Sequence, residues 1–230
     1  MSRKLVLILL EASLETVPAS IANHPAVVKT ASRRGKKPTE ILLDKSIHYH
    51  AMKKLPRAEK RGRPDIVHIA LLEALESPLN KTGGLSTYIY TIEGHAVFID
   101  PSTRIPRNYN RFVGLMEQLF KEGRVPPGSD KPLLYLKTIK LEDLIKESMS
   151  KGLILLSEEC EYKPVYSVVE EAIRDKLAIG IGGFPHGDFE EETKKQAVKC
   201  YSIYREPLST HIVVSRVIAS AERILGIIEL

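Results

Sequence analysis

From residue 133 onward, short apolar runs alternate with amphipathic segments. This constrains the fold more than any other feature of the chain. The runs are Leu133–Leu136, Leu153–Leu156, Leu177–Ile181 and Val198–Tyr204. Between them, 141–149 and 165–175 carry apolar residues at helical spacing. A strand that must rejoin its neighbour in parallel needs a crossover, usually a helix. The pattern therefore predicts an α/β fold built on a parallel sheet. The final segment is the clearest helix: Val214, Val217, Ile218, Ala221 and Leu225 share one side, with Arg216, Ser220 and Arg223 on the other.

The N-terminal half is less regular. Leu5–Leu10 reads as a buried first strand, stopped by Glu11 well short of the ~20 apolar residues a membrane span needs. A helix is expected from Ile66 through Leu75, ending near Pro78. Tyr88–Ile92 and Ala96–Ile99 flank Glu93-Gly94 as a hairpin, and 101–111 reads as a loop leading into a helix through Met116 and Leu119. Thr30–Pro38 reads as a loop because charges, Gly35 and Pro38 interrupt any period. With 230 residues, 43% of them apolar, the chain suits a single domain spanning 1–230. A basic insertion at about 29–63 and an extension at about 85–125 complete the expected organisation.

Charge is unevenly distributed. Residues 29–63 hold twelve Lys and Arg against three Asp and Glu, a net +9, so the rest of a +5 chain carries −4. A block that lopsided repels itself and points to a polyanionic partner, with nucleic acid the natural choice. Cys160 and Cys200 form no metal-binding spacing. They read as small buried apolar residues in a reducing, cytoplasmic compartment rather than as a disulfide. His48 and His50 form H-x-H without a third ligand at a recognisable spacing, so no metal site is expected.

The stretch "IGIGGFPHGDF", 179–189, places four glycines at the end of an apolar run. Gly180 and Gly182 begin a G-x-G-x-x-G pattern, but Pro185 stands where the third glycine belongs, and no Gly-Lys-Ser/Thr follows. It is neither standard phosphate cradle. It remains a strand that ends in a tight turn, and ligands in open α/β sheets gather beyond the carboxyl ends of strands. "LILLSEE" at 153–159 and "YSIYREPLSTH" at 201–211 are two more such ends, the latter with Ser209 placed to cap the last helix. Arg104, Arg107 and Arg111, at spacing three and four, would share one face if the stretch turns helically, with Tyr109 among them to stack on a base. Asp65 follows Arg63 across Pro64, placed either to cap the helix or to orient the arginine.

Taken together, "RGRPDIVHIALLEALESPLN", "IDPSTRIPRNYNRFVGLMEQLF", "IGGFPHGDF" and "YREPLSTHIVVSRVIASAE" resemble the nucleolar essential protein family of SPOUT-class methyltransferases. The resemblance runs over nearly the whole chain and is weakest around 29–57. It implies a SPOUT-like sheet with a C-terminal trefoil knot, a homodimer, and S-adenosyl-L-methionine as cofactor. It further implies N1-methylation of a pseudouridine in small-subunit ribosomal RNA, with a role in small-subunit biogenesis and assembly proteins as possible partners. The cofactor contacts it implies are Leu156, Gly182, Gly187, Ile203, Tyr204, Arg205, Glu206, Pro207 and Leu208. The RNA contacts are Arg63, Arg104, Arg107 and Arg111, with Asp65 orienting Arg63 or acting as a base. The protein would be cytoplasmic, or nucleolar in a eukaryote. A non-catalytic RNA-binding assembly factor is the rival reading. A nicotinamide oxidoreductase is disfavoured by Pro185.

Overall fold

A computed structural model describes residues 4–228; both ends of the expected 1–230 domain lie outside the described residues. The N-terminal half runs β1 (Leu5–Ala12), α1 (Pro25–Arg33), α2 (Lys45–Met52), α3 (Pro64–Glu76), α4 (Pro78–Lys81), β2 (Leu85–Thr91), β3 (His95–Ile99) and α5 (Tyr109–Glu122). It continues as β4 (Arg124–Val125), β5 (Leu134–Thr138), α6 (Leu141–Glu147), β6 (Leu153–Leu156), α7 (Val165–Asp175), β7 (Ala178–Gly182), α8 (Glu191–Lys195), β8 (Ala197–Tyr201) and α9 (Thr210–Ile224).

The strands form one sheet in the order β4-β5-β3-β2-β1-β7-β6-β8. Its β2-β1-β7-β6-β8 portion is parallel, as the alternation predicts. The hairpin β2–β3, and then β5 and β4, continue it in antiparallel fashion. The sheet is therefore mixed rather than wholly parallel, because β3 turns back tightly at Glu93-Gly94 and β5 pairs with β3 along its free edge.

β1 is buried on both faces, so its period of two feeds two cores. Leu5, Leu7 and Leu9 join the core under α3, α5, α7 and α9, whereas Ile8 and Leu10 join the one under α6. Residues 17–58 build a third core around Val27, Ile41, Leu43 and Met52.

Three local expectations need correction. Residues 30–33 close α1 instead of forming a loop, since Val27 and Ala31 give that helix a buried side. β8 ends at Tyr201, three residues early: beyond it only Ser202 pairs, in an isolated bridge to Tyr162, and the chain bends from 203 onward. Cys160 and Cys200 are half-buried and joined in a disulfide, with Cα atoms 5.8 Å apart. β6 and β8 are adjacent and parallel, which carries the loop after β6 past the end of β8. A separation of 40 residues concealed that proximity. Disulfides also persist inside cells of some hyperthermophiles, so cysteine usage places no compartment here.

Candidate functional site

Three strand ends that are far apart in sequence meet at the carboxyl side of the parallel strands. β6 ends at Leu156, β7 at Gly182 and β8 at Tyr201, and the loops that follow line a cleft of about 230 Å³. Leu156, Gly182, Gly187, Ile203, Tyr204, Glu206, Pro207 and Leu208 all face it. Of the nine contacts the resemblance implies, only Arg205 does not; it is exposed outside the cleft.

The walls also contain residues that spacing alone did not single out. Phe184 and Phe189 meet edge to face at 5.2 Å, and Ile181 and Val213 complete the apolar lining. Ser157, Asp188 and Thr210 supply polar groups. Burial opposes ionisation of Asp188, but Lys194 at 2.8 Å, the Phe189 amide at 2.7 Å and the Ser157 hydroxyl outweigh it and hold the carboxyl below its ordinary range. Ser209 makes no capping bond at the start of α9; instead the Thr210 hydroxyl donates to the Gly182 carbonyl at 2.7 Å. The two phenylalanines were visible in "GGFPHGDF". Their inward aim depends on how the turn folds.

The glycines serve different neighbours. Gly183 lies so close to β1 that a Cβ would stand 2.9 Å from Ala12 Cα. Gly187 has φ +91°, a conformation that disfavours side chains. The turn is thus shaped by an adjacent strand as well as by the cleft. His186 is exposed on the rim.

The basic insertion is partly consumed internally. Glu117 on α5, almost fully buried, receives Arg34 through both guanidinium nitrogens, at 2.5 and 2.7 Å, and Lys36 at 2.6 Å. Arg61 is buried against Glu15, with 2.8 Å for the Nε contact, and Lys60 lies 2.7 Å from Glu11. Four of the twelve positive charges therefore staple the insertion to the core. A sequence count cannot separate these from the exposed Lys29, Arg33, Lys37, Lys53 and Lys54.

Arg63 forks onto Asp65 with both contacts in place, at 2.9 and 2.8 Å. Asp65 does not cap α3, which begins one residue earlier at Pro64. Arg104 and Arg107 lie in the loop before α5 and only Arg111 is helical, so the three do not form one helical face. The loop instead runs along α3 and α4: Asn80 on α4 donates to Pro101 O at 2.8 Å and His68 on α3 contacts Pro106 O at 2.7 Å. Arg107 pairs with Glu76 at the far end of α3, about 20 Å from Arg63 by helical rise. Among the described residues Arg104 and Arg111 make no ion pair. Arg63, at the start of α3, is half-buried, whereas Arg104, Arg107 and Arg111 are exposed. Tyr109 is not free to stack: its hydroxyl donates to Asp44 at 2.6 Å, and burial, together with that bond, pushes its phenol pKa well up.

Ser13 joins the two regions. Its hydroxyl accepts from the Arg63 amide at 2.7 Å, and its own amide donates to the Gly183 carbonyl at 2.9 Å. Arg63 and the glycine turn that borders the cleft, remote in sequence, are neighbours in space. His48 is buried, accepts from the Asp44 amide at 3.1 Å and has its pKa lowered by burial, while His50 is exposed.

Comparison with known proteins gives one consistent picture. The family model for EMG1/NEP1 methyltransferase matches residues 7–222. The ribosomal RNA small subunit methyltransferase Nep1 of Staphylothermus marinus is 58% identical over 228 residues, covering 99% of both chains. Its counterpart in Thermococcus kodakarensis is 48% identical, covering 96% of this chain and 99% of that one. The crystal structure of Archaeoglobus fulgidus Nep1 bound to S-adenosylhomocysteine superposes with a TM-score of 0.86 at 42% identity, covering 97% of this chain and 99% of that one.

Proposed function

The chain belongs to the EMG1/NEP1 methyltransferase family, and from that premise we propose that it methylates small-subunit ribosomal RNA with S-adenosylmethionine, at the N1 nitrogen of a pseudouridine. The observation that carries this reading is the convergence of three strand ends on one cleft lined by eight of the nine implied cofactor residues. The residues present suit that cofactor. Leu156, Ile181, Phe184 and Leu208 offer apolar walls to an adenine, and the glycine turns bring backbone groups close. Glu158, Asp188 and Glu206 offer carboxylates to ribose hydroxyls and to a cationic donor.

When bound, the cofactor supplies an already activated methyl group on a sulfonium. What remains for the chain is alignment, worth about 7–11 kcal/mol of barrier when the reacting atoms are well placed. The acceptor base must leave its stack, at a cost of a few kcal/mol. Arg63, Arg104, Arg107 and Arg111 would hold the flanking backbone and offset that cost. Asp65 has both carboxylate oxygens engaged by Arg63, which favours an orienting role over that of a base. Ser13 would keep the RNA-facing arginine in register with the cleft.

The same reading includes a C-terminal trefoil knot formed by the three cleft loops, a cytoplasmic location and a role in small-subunit assembly. It also includes a homodimer. The groove between α3 and α9, lined by Leu72, Glu76, Ser215 and Ala219 and flanked by exposed Ile69 and Ile212, is the surface that supports it. No described helix is long and apolar enough to cross a membrane.

The test uses labelled S-adenosylmethionine with small-subunit RNA carrying either uridine or pseudouridine at one site. Label should enter only the pseudouridine RNA. Cofactor binding without transfer to either RNA favours the assembly-factor reading.

A further inference from the structure

Lys60 is a cation the proposed chemistry does not use, and it is only 4% exposed. Its ammonium lies 2.7 Å from Glu11 and 3.0 Å from Glu190, and 4.7 Å from the centre of the Phe184 ring. Glu11, also 4% exposed, closes the arrangement by accepting from the Glu190 amide at 2.8 Å. Burying this lysine and carboxylate carries a large desolvation cost before their attraction is counted. Glu11 adds a second cost. Its φ is +47°, unusual for a residue with a side chain, at the irregular end of β1.

Both costs fall at one place. Phe184 and Gly187 face the cofactor cleft, and a Cβ on Gly187 would touch the Lys60 stem at 3.4 Å. Lys60 therefore grips the 184–190 turn at both ends, through Phe184 at one and Glu190 at the other. It belongs to the basic insertion, three residues before Arg63.

We propose that Lys60 is a positioning residue for the cofactor: through Glu11, Glu190 and Phe184 it holds the 184–190 turn in its ligand-binding shape. This rests on the cofactor assignment made above. In this role Lys60 acts through the turn, not on RNA or the reacting atoms.

The experiment measures S-adenosylhomocysteine affinity by calorimetry, KM and kcat for S-adenosylmethionine, and RNA affinity without cofactor. It compares the parent with Lys60→Met, which keeps the stem and loses the charge, and with Glu190→Gln. Lys60→Met should weaken S-adenosylhomocysteine binding about tenfold, within the range of indirect coupling between sites. KM should rise by a similar factor, with kcat and RNA affinity within twofold of the parent. Glu190→Gln should weaken binding about threefold, a smaller loss because Glu11 still holds the ammonium. Unchanged S-adenosylhomocysteine affinity in a folded Lys60→Met overturns the proposal. So does an equal loss of RNA affinity, which would make Lys60 part of the RNA surface. If Lys60→Met does not fold, Glu190→Gln decides, and parental affinity in that variant overturns the proposal. A parent that binds no S-adenosylhomocysteine sinks the cofactor assignment instead.

Discussion

Arg63 and Asp65 form a planar two-bond pair, and a fork held that way presents its outer face in one orientation. Arg63→Ala is expected to cost about 1–3 kcal/mol of RNA affinity. Asp65→Ala should cost part of that by freeing the guanidinium. If the two act as one unit, the double variant loses little more than Arg63→Ala, which fluorescence anisotropy with a hairpin RNA can read. Abolished methylation in Asp65→Ala with RNA binding intact would make Asp65 catalytic. His48 allows a test of stability against pH. Burial holds its pKa below 6.5, so the unfolded chain takes up a proton before the folded one does. Its contribution is therefore present above pH 6.5 and lost as pH falls below that value. His48→Asn keeps an acceptor for the Asp44 amide. Its Tm should fall less steeply than the parent's as pH drops below 6.5.

Among the elements, the loops after β6, β7 and β8 depend on one another. A Cβ on Gly182 would press the Phe184 ring at 3.1 Å, so Gly182→Val pushes that ring toward the cleft. The variant should stay folded and lose most of its S-adenosylhomocysteine affinity by calorimetry; normal binding would place the site elsewhere. The Cys160–Cys200 link closes a loop of 40 residues between two of these elements. Replacing both with serine should destabilise the protein by about 2–4 kcal/mol in chemical denaturation. The oxidised parent should show no free thiol. If thiols titrate without reductant, the link does not form in solution.

At the scale of the whole molecule, the proposed RNA contacts on Arg63, Arg104, Arg107 and Arg111, with the +5 net charge, would make RNA binding an electrostatic event. The logarithm of affinity should fall linearly with the logarithm of salt concentration, and Arg104→Ala should flatten that slope by about one unit. Arg107→Ala should do less, because Arg107 already pairs with Glu76 and that contact must be given up on binding. Both variants should keep parental cofactor affinity. Equal RNA binding by parent and variants across salt concentrations would remove these arginines from the interface. The α3–α9 groove makes a separate expectation, a dimer by light scattering at micromolar concentration, and a stable monomer would contradict it.

Much of the fold was legible because its signals are local. A strand buried on both faces, such as Leu153–Leu156, declares itself as a short unbroken apolar run, and an amphipathic helix such as α9 through its period of 3.6, signals the backbone imposes whatever lies nearby. The glycine turn after β7 was legible for the same reason, since a stretch that fails both phosphate patterns still has to approach something closely. The family motifs added the expected ligand of that turn. What the chain alone could not show is which distant residues meet. Lys60 and Lys53 are alike in sequence, yet one is sealed against Glu11 and the other lies in solvent. Cys160 reaches Cys200 only because β6 and β8 are neighbours. Arg63 stands beside the cleft only because Ser13 binds both its amide and Gly183. Periodicity decides which face a residue presents. Long-range packing decides what that face meets, and so which charges remain free to bind RNA.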